Sequence, residues 1–175
     1  MAQTELHKYT VQEKLNKMDI DVITNDLVLH GNACSNNEVI FLEDEIENAV
    51  AVPGGSCILQ SVGLLDDDDH GGTIDLVFMN ATGKLDASDD GTVIDVDDAA
   101  SDGTEVIPGQ IIGVVTISDY FDGVAWKYGH KENIGLVLKA AADSTSIYVS
   151  GVNRSGGALT WTTAGLRLQL GVVKD

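Results

Sequence analysis

The sequence predicts an all-β protein: a β-sandwich or jelly-roll-like body behind a short N-terminal helical arm. Three observations carry the prediction. Val, Ile and Thr recur in short runs separated by many of the 19 glycines, and there are only two prolines, a composition that suits short strands and tight turns. The C-terminal stretch alternates cleanly, with Leu166, Leu168, Leu170 and Val172 on one face and Arg167 and Gln169 on the other. Only one segment, near the N-terminus, has convincing helical spacing.

That segment begins at Thr10-Val-Gln-Glu13, which has the form of a capping box: the Thr hydroxyl and Glu carboxylate serve backbone N–H groups that a helix start leaves unpaired. Val11, Leu15 and Met18 follow on one face. A helix of about two turns is not stable alone in water. It needs a surface, which is its own domain, a sister subunit or another protein. Residues 1–19 are therefore read as an arm and 20–175 as the body.

Along the body, Ile20, Val22, Leu27 and Leu29 mark one or two strands interrupted near Thr24-Asn25, and Val39–Leu42 marks another. Glu43–Glu47 is read as extended, and Pro53-Gly54-Gly55 breaks the chain. Cys57–Leu65 and Thr73–Phe78 are strands flanking the acidic run Asp66–Asp69, expected to pair as a hairpin with a charged loop. Residues 81–105 are rich in Asp, Ala, Ser, Gly and Thr and form a surface excursion. Gln110–Ile117 returns to the core. Ile134, Leu136, Leu138 and Ala140 line one strand, and Ile147 and Val149 the next.

Charge limits the function classes. With 28 acidic against 10 basic residues the net charge is −18. That excludes phosphate-neutralising binding to nucleic acid and attraction to an anionic membrane. The first thirty residues hold no apolar signal-peptide core, so synthesis in the cytosol is expected. Cys34 and Cys57 match no zinc or redox spacing and are expected to be small buried hydrophobes.

Chemistry-bearing patterns are few. Asp66–Asp69 with His70 offers hard oxygen ligands of the kind Ca²⁺ takes, and so do Asp86, Asp89, Asp90, Asp95, Asp97, Asp98 and Asp102. Neither set has EF-hand spacing, and both also read as solvated loops. The four histidines are scattered, with no nucleophile elbow and no phosphate-binding loop. No catalytic residues, cofactor or metal ligands are assigned, and the chain is read as a non-enzyme. The segment 118–130 gathers Tyr120, Phe121, Trp126 and Tyr128. It packs at the core edge or anchors a subunit or receptor contact. With Val11, Leu15 and Met18, these four are the candidate interface residues.

The order of several segments is itself informative. Asn48-Ala-Val50, Gly54-Gly-Ser56 and the Leu-Gln-Ser-Val-Gly-Leu strand ending at Asp66 come first. Ile74–Phe78, Ile111–Val115, Ser118-Asp-Tyr120, Gly135–Ala140 and Ser146–Val149 follow, then Leu-Thr-Trp-Thr and a closing Gly-Leu-Arg-Leu-Gln-Leu-Gly-Val-Val-Lys-Asp. Over residues 45–175 this order resembles a family of tailed-bacteriophage virion structural proteins. The resemblance implies a virion component made in the host cytoplasm, with no catalytic residues to carry over. It fits a capsid decoration (cement) protein, bound to the major capsid protein and to itself as a homotrimer. The alternative is a tail, baseplate or head-fibre module that contacts the host or other virion proteins.

Overall fold

A computed structural model describes residues 19–29, 31–81 and 110–174. These residues form nine strands in two antiparallel sheets: β1 (Asp19–Asp26), β2 (Val39–Ile46), β3 (Ser56–Asp66), β4 (Ile74–Met79), β5 (Ile111–Ile117), β6 (Tyr120–Asp122), β7 (Lys127–Lys139), β8 (Ile147–Asn153) and β9 (Leu166–Lys174). One sheet has the order β1-β9-β3-β7-β6 and the other β2-β8-β4-β5. The predicted arm helix, with Val11, Leu15 and Met18, lies outside the described residues.

With the short β6 set aside, the first strand pairs with the last, the second with the seventh, the third with the sixth and the fourth with the fifth. This is one long antiparallel ribbon rolled up so that successive pairs alternate between sheets. Pairing of β9 with β3 and of β8 with β4 closes each sheet. Two sheets wound in this way make a jelly roll.

The period-2 rule accounts for the core. Leu59, Val62 and Leu64 of β3, Leu168, Leu170 and Val172 of β9, and Leu138 of β7 face Phe41, Leu76, Phe78, Val115 and Val149 of the other sheet, all buried. Cys34 and Cys57 are buried thiols. At Gly151 the β8 backbone runs against the Phe41 ring, leaving no room for a Cβ.

Two expectations are corrected. β1 runs unbroken through Thr24-Asn25 because both pair with β9, opposite Gln169 and Leu168. β3 and β4 do not form a hairpin: β3 pairs with β7 and β9, and β4 with β5 and β8. The acidic segment between them is an arch from one sheet to the other.

Candidate functional site

The arch is built around Asp66. Its carboxylate is buried and accepts backbone N–H bonds from Asp68 at 3.1 Å, His70 at 3.1 Å and Gly71 at 2.8 Å. Three donors converging on one carboxylate hold the chain in the sharp turn that a change of sheet requires. Asp69 and Gly71 sit at positive φ within that turn, a conformation Asp tolerates and Gly adopts freely.

Other links at this end of the sandwich lock onto the arch. Asp67 N–H donates to the Gly165 carbonyl at 2.9 Å, and His70 Nε2 donates to the Thr160 carbonyl at 2.7 Å. The His70 ring stands edge-on to buried Trp161. Asn153, buried, donates to the carbonyls of Cys34 at 2.7 Å and Gly157 at 2.9 Å, and accepts from Ser155 N–H at 2.9 Å. The β1–β2, β3–β4 and β8–β9 links thus form one hydrogen-bonded platform.

From this platform projects the β6–β7 hairpin, and here the four aromatic candidates part company. Tyr120 points inward and donates its hydroxyl to the Gly72 carbonyl at 2.7 Å. Burial, and secondly the charge of Asp66, push its phenol well above the ordinary tyrosine range. Tyr120 is core-edge packing. Phe121 faces out opposite Tyr128. Phe121 is 68% exposed, with its ring 5.8 Å from that of Trp126, itself 39% exposed. The turn is closed by Gly123 N–H donating to the Trp126 carbonyl at 2.9 Å. Tyr128 lies on the sheet face over Gly63, where a Cβ would strike its hydroxyl, stacks on His130 and donates to Gln169 Oε1 at 3.2 Å.

The structure therefore brings Phe121 and Trp126 together at a tip and adds fully exposed Val124, which the sequence reading missed. A Val between Gly123 and Ala125 carries no periodic signal. Carboxylates flank the tip: Lys127, beside the aromatics, bridges Asp122 at 3.5 Å and Asp69 at 3.7 Å and is thus already paired with two acids.

The acidic run does not converge on a point. Asp66 is turned into the arch, Asp68 reaches Thr162 and Asp69 reaches Lys127. Among the described residues, no three His, Cys, Asp or Glu groups are placed to hold a metal ion. The Asp-rich candidates from Asp86 to Asp102 lie outside the described residues.

No protein-family model and no curated protein matches this chain. Among solved structures, the capsid of Ralstonia phage GP4 aligns over 90% of this chain and 84% of its own, at 16% identity and a TM-score of 0.36. A chain of Desmodium yellow mottle tymovirus aligns over 89% of this chain and 80% of its own, at 12% identity and a TM-score of 0.28. The jelly-roll assignment stands on this chain's own strand pairing and not on those superpositions.

Proposed function

We propose that this chain is a non-enzymatic structural protein of a virus particle. In this reading it is a decoration protein on the outer surface of a capsid, bound to the major capsid protein and to its own copies as a homotrimer. The observation that carries the reading is the rolled-ribbon strand order. Jelly rolls recur in virus shells, in lectins and in cupins. Fold alone does not choose among these uses, and the packed interior argues against those that hold a ligand inside. A use that places a ligand inside the barrel needs a cavity, and here that space is packed with Leu59, Leu64, Leu76, Phe78 and Phe41.

What is left to act is the surface. A net charge of −18 repels packaged nucleic acid and favours the outside of a shell. The tip of Phe121, Val124 and Trp126 supplies the apolar anchor that a docking contact needs. The reading requires no cofactor.

The test is co-sedimentation of purified protein with assembled heads of the phage that encodes it. Wild-type protein should pellet at a fixed, saturable ratio to shell subunits. Phe121→Ser with Trp126→Ser should weaken binding at least ~30-fold, the equivalent of about 2 kcal/mol for a lost aromatic anchor, while the body stays folded. Binding to tails or baseplates in place of heads would instead support the second reading, a tail, baseplate or head-fibre module. The same exposed tip at one end of the sandwich favours that reading. Binding to neither would overturn both.

A further inference from the structure

The outward face of the five-stranded sheet is apolar at the end of the strands away from the aromatic tip. The register of β1, β9, β3 and β7 sets four outward rungs of four residues, one from each strand. The first rung is Ile20, Val173, Ile58 and Val137. Its two ends are open to solvent, Ile20 at 77% and Val137 at 60%, and exposed Val22 extends it into the second rung. Strand propensity explains a β-branched residue on an outer face, but not four in register across four strands. A patch of this kind marks a contact surface.

We propose that this face is covered by a second copy of the chain. The proposal rests on the self-association in the decoration reading and names the surface that serves it. Charge selects the occupant. The chain carries −18, so two copies repel one another and can meet only where carboxylates are few or already paired. The first rung holds no charged residue. In the rungs beyond it, Asp26 is ion-paired with Arg167, and Glu132 lies 3.6 Å from His130 Nδ1. A cationic partner would gain most from carboxylates that have no cation beside them, and these rungs offer little of that.

Area agrees. Four strands at ~4.8 Å spacing and the eight residues of β1 at ~3.3 Å each give a footprint of ~19 Å by ~26 Å, or ~500 Å². Two surfaces of that size bury ~1,000 Å² in all, the least that a specific interface needs. The make-up agrees too. Interface cores are depleted of charge, and the rungs of Ile20 and Val22 hold one charged residue between them, Glu132 at the β7 end.

The test is sedimentation equilibrium of the full-length protein with no particle present, so that its outcome is independent of shell binding. Wild type should self-associate, and more tightly at ~0.5 M salt than at ~0.05 M, because salt screens the repulsion between two acidic chains. Ile20→Asp and Val137→Asp, both at exposed positions, should each leave the fold intact by circular dichroism. Each should weaken association ~10-fold or more, since every copy then brings a carboxylate into an apolar contact. Val114→Asp, exposed on β5 in the other sheet, should leave association unchanged. A monomeric wild type would overturn the proposal. So would Ile20→Asp and Val137→Asp variants that associate as wild type does, or equal weakening by Val114→Asp. Association that behaves as expected in a protein that binds no shell would uphold this contact and overturn the decoration reading alone.

Discussion

The carboxylate of Asp68 accepts the backbone N–H of Thr162 at 2.6 Å and lies 3.0 Å from its hydroxyl, although the two residues are 94 positions apart. Gly165 leaves the space that this carboxylate occupies. The contact ties the β3–β4 arch to the β8–β9 link. Asp68→Ala should therefore lower stability by about 1–3 kcal/mol in chemical denaturation. Thr162→Val, which keeps the backbone donor, should cost less, and the pair should show a double-mutant coupling of about 1 kcal/mol. Strict additivity would mean that the two links are held by their other contacts alone.

The acid limb of the stability curve should carry the mark of Asp21. Lys174 Nζ, on a nearly buried side chain, donates to Asp21 Oδ2 at 2.8 Å. That hydrogen bond and charge, with the Val22 N–H, hold the Asp21 carboxyl below the usual range. A depressed folded-state pKa gives stability that is present above the unfolded value of about 4 and lost as pH falls through the folded one. Asp21→Asn should be less stable than wild type at pH 7 and converge with it in strong acid. The gap should narrow in 0.5 M salt, since the carboxylate is half exposed. A gap constant with pH would point to a packing effect.

Tyr120 should shape the opposite limb. Its phenol is raised by burial and by Asp66, so it stays neutral in the folded chain while an unfolded one ionises near pH 10. A raised folded-state pKa gives stability that is present below the unfolded value and lost as pH rises. Tyr120→Phe should cost about 1 kcal/mol at neutral pH, for the bond to Gly72, yet decline less steeply above pH 10. Ultraviolet titration should show this tyrosine ionising only with unfolding. A normal titration in the native state would contradict its inward placement.

Gly151 is a steric prediction. A Cβ there would enter the Phe41 ring, so Gly151→Ala should cost about 1–3 kcal/mol by overpacking. Phe41→Leu in the same chain should recover part of the loss, because it removes the ring that the methyl strikes. Calorimetric melting of the two variants decides it.

Much of the body was legible from alternation alone. Leu166 to Val172, Ile147 with Val149, and Leu136 to Ala140 face inward as their spacing predicts. Sheet membership was not legible. A hairpin is the local solution for two strands joined by a short loop, and nothing near Asp66 reveals that its carboxylate gathers three N–H groups and turns the chain into the other sheet. Thr24 and Asn25 look like a break because polar pairs favour turns, yet on an edge strand they are ordinary ladder positions.

The aromatic candidates were half legible. Composition picked the segment, but only the pairing of Tyr120 with Gly129 and of Phe121 with Tyr128 decides which rings face out. The exposed Val137 on the outer face of β7 has only a weak signal in the sequence. In Gly135-Leu-Val-Leu138 both phases of the strand are apolar, which means either two buried faces or one buried face and one patch.

β9, the last of the described strands, lies between β1 and β3 within its sheet. On the ribosome, every earlier strand emerges before the one that joins them. β1 and β3 must wait with an empty slot between them, the N–H and C=O rows that face it unpaired and open to sister chains on the same message. Chaperone dependence should therefore fall once β9 has left the ribosome and paired. A stop codon placed before the nine residues of β9 should yield insoluble aggregate in place of a shorter soluble domain.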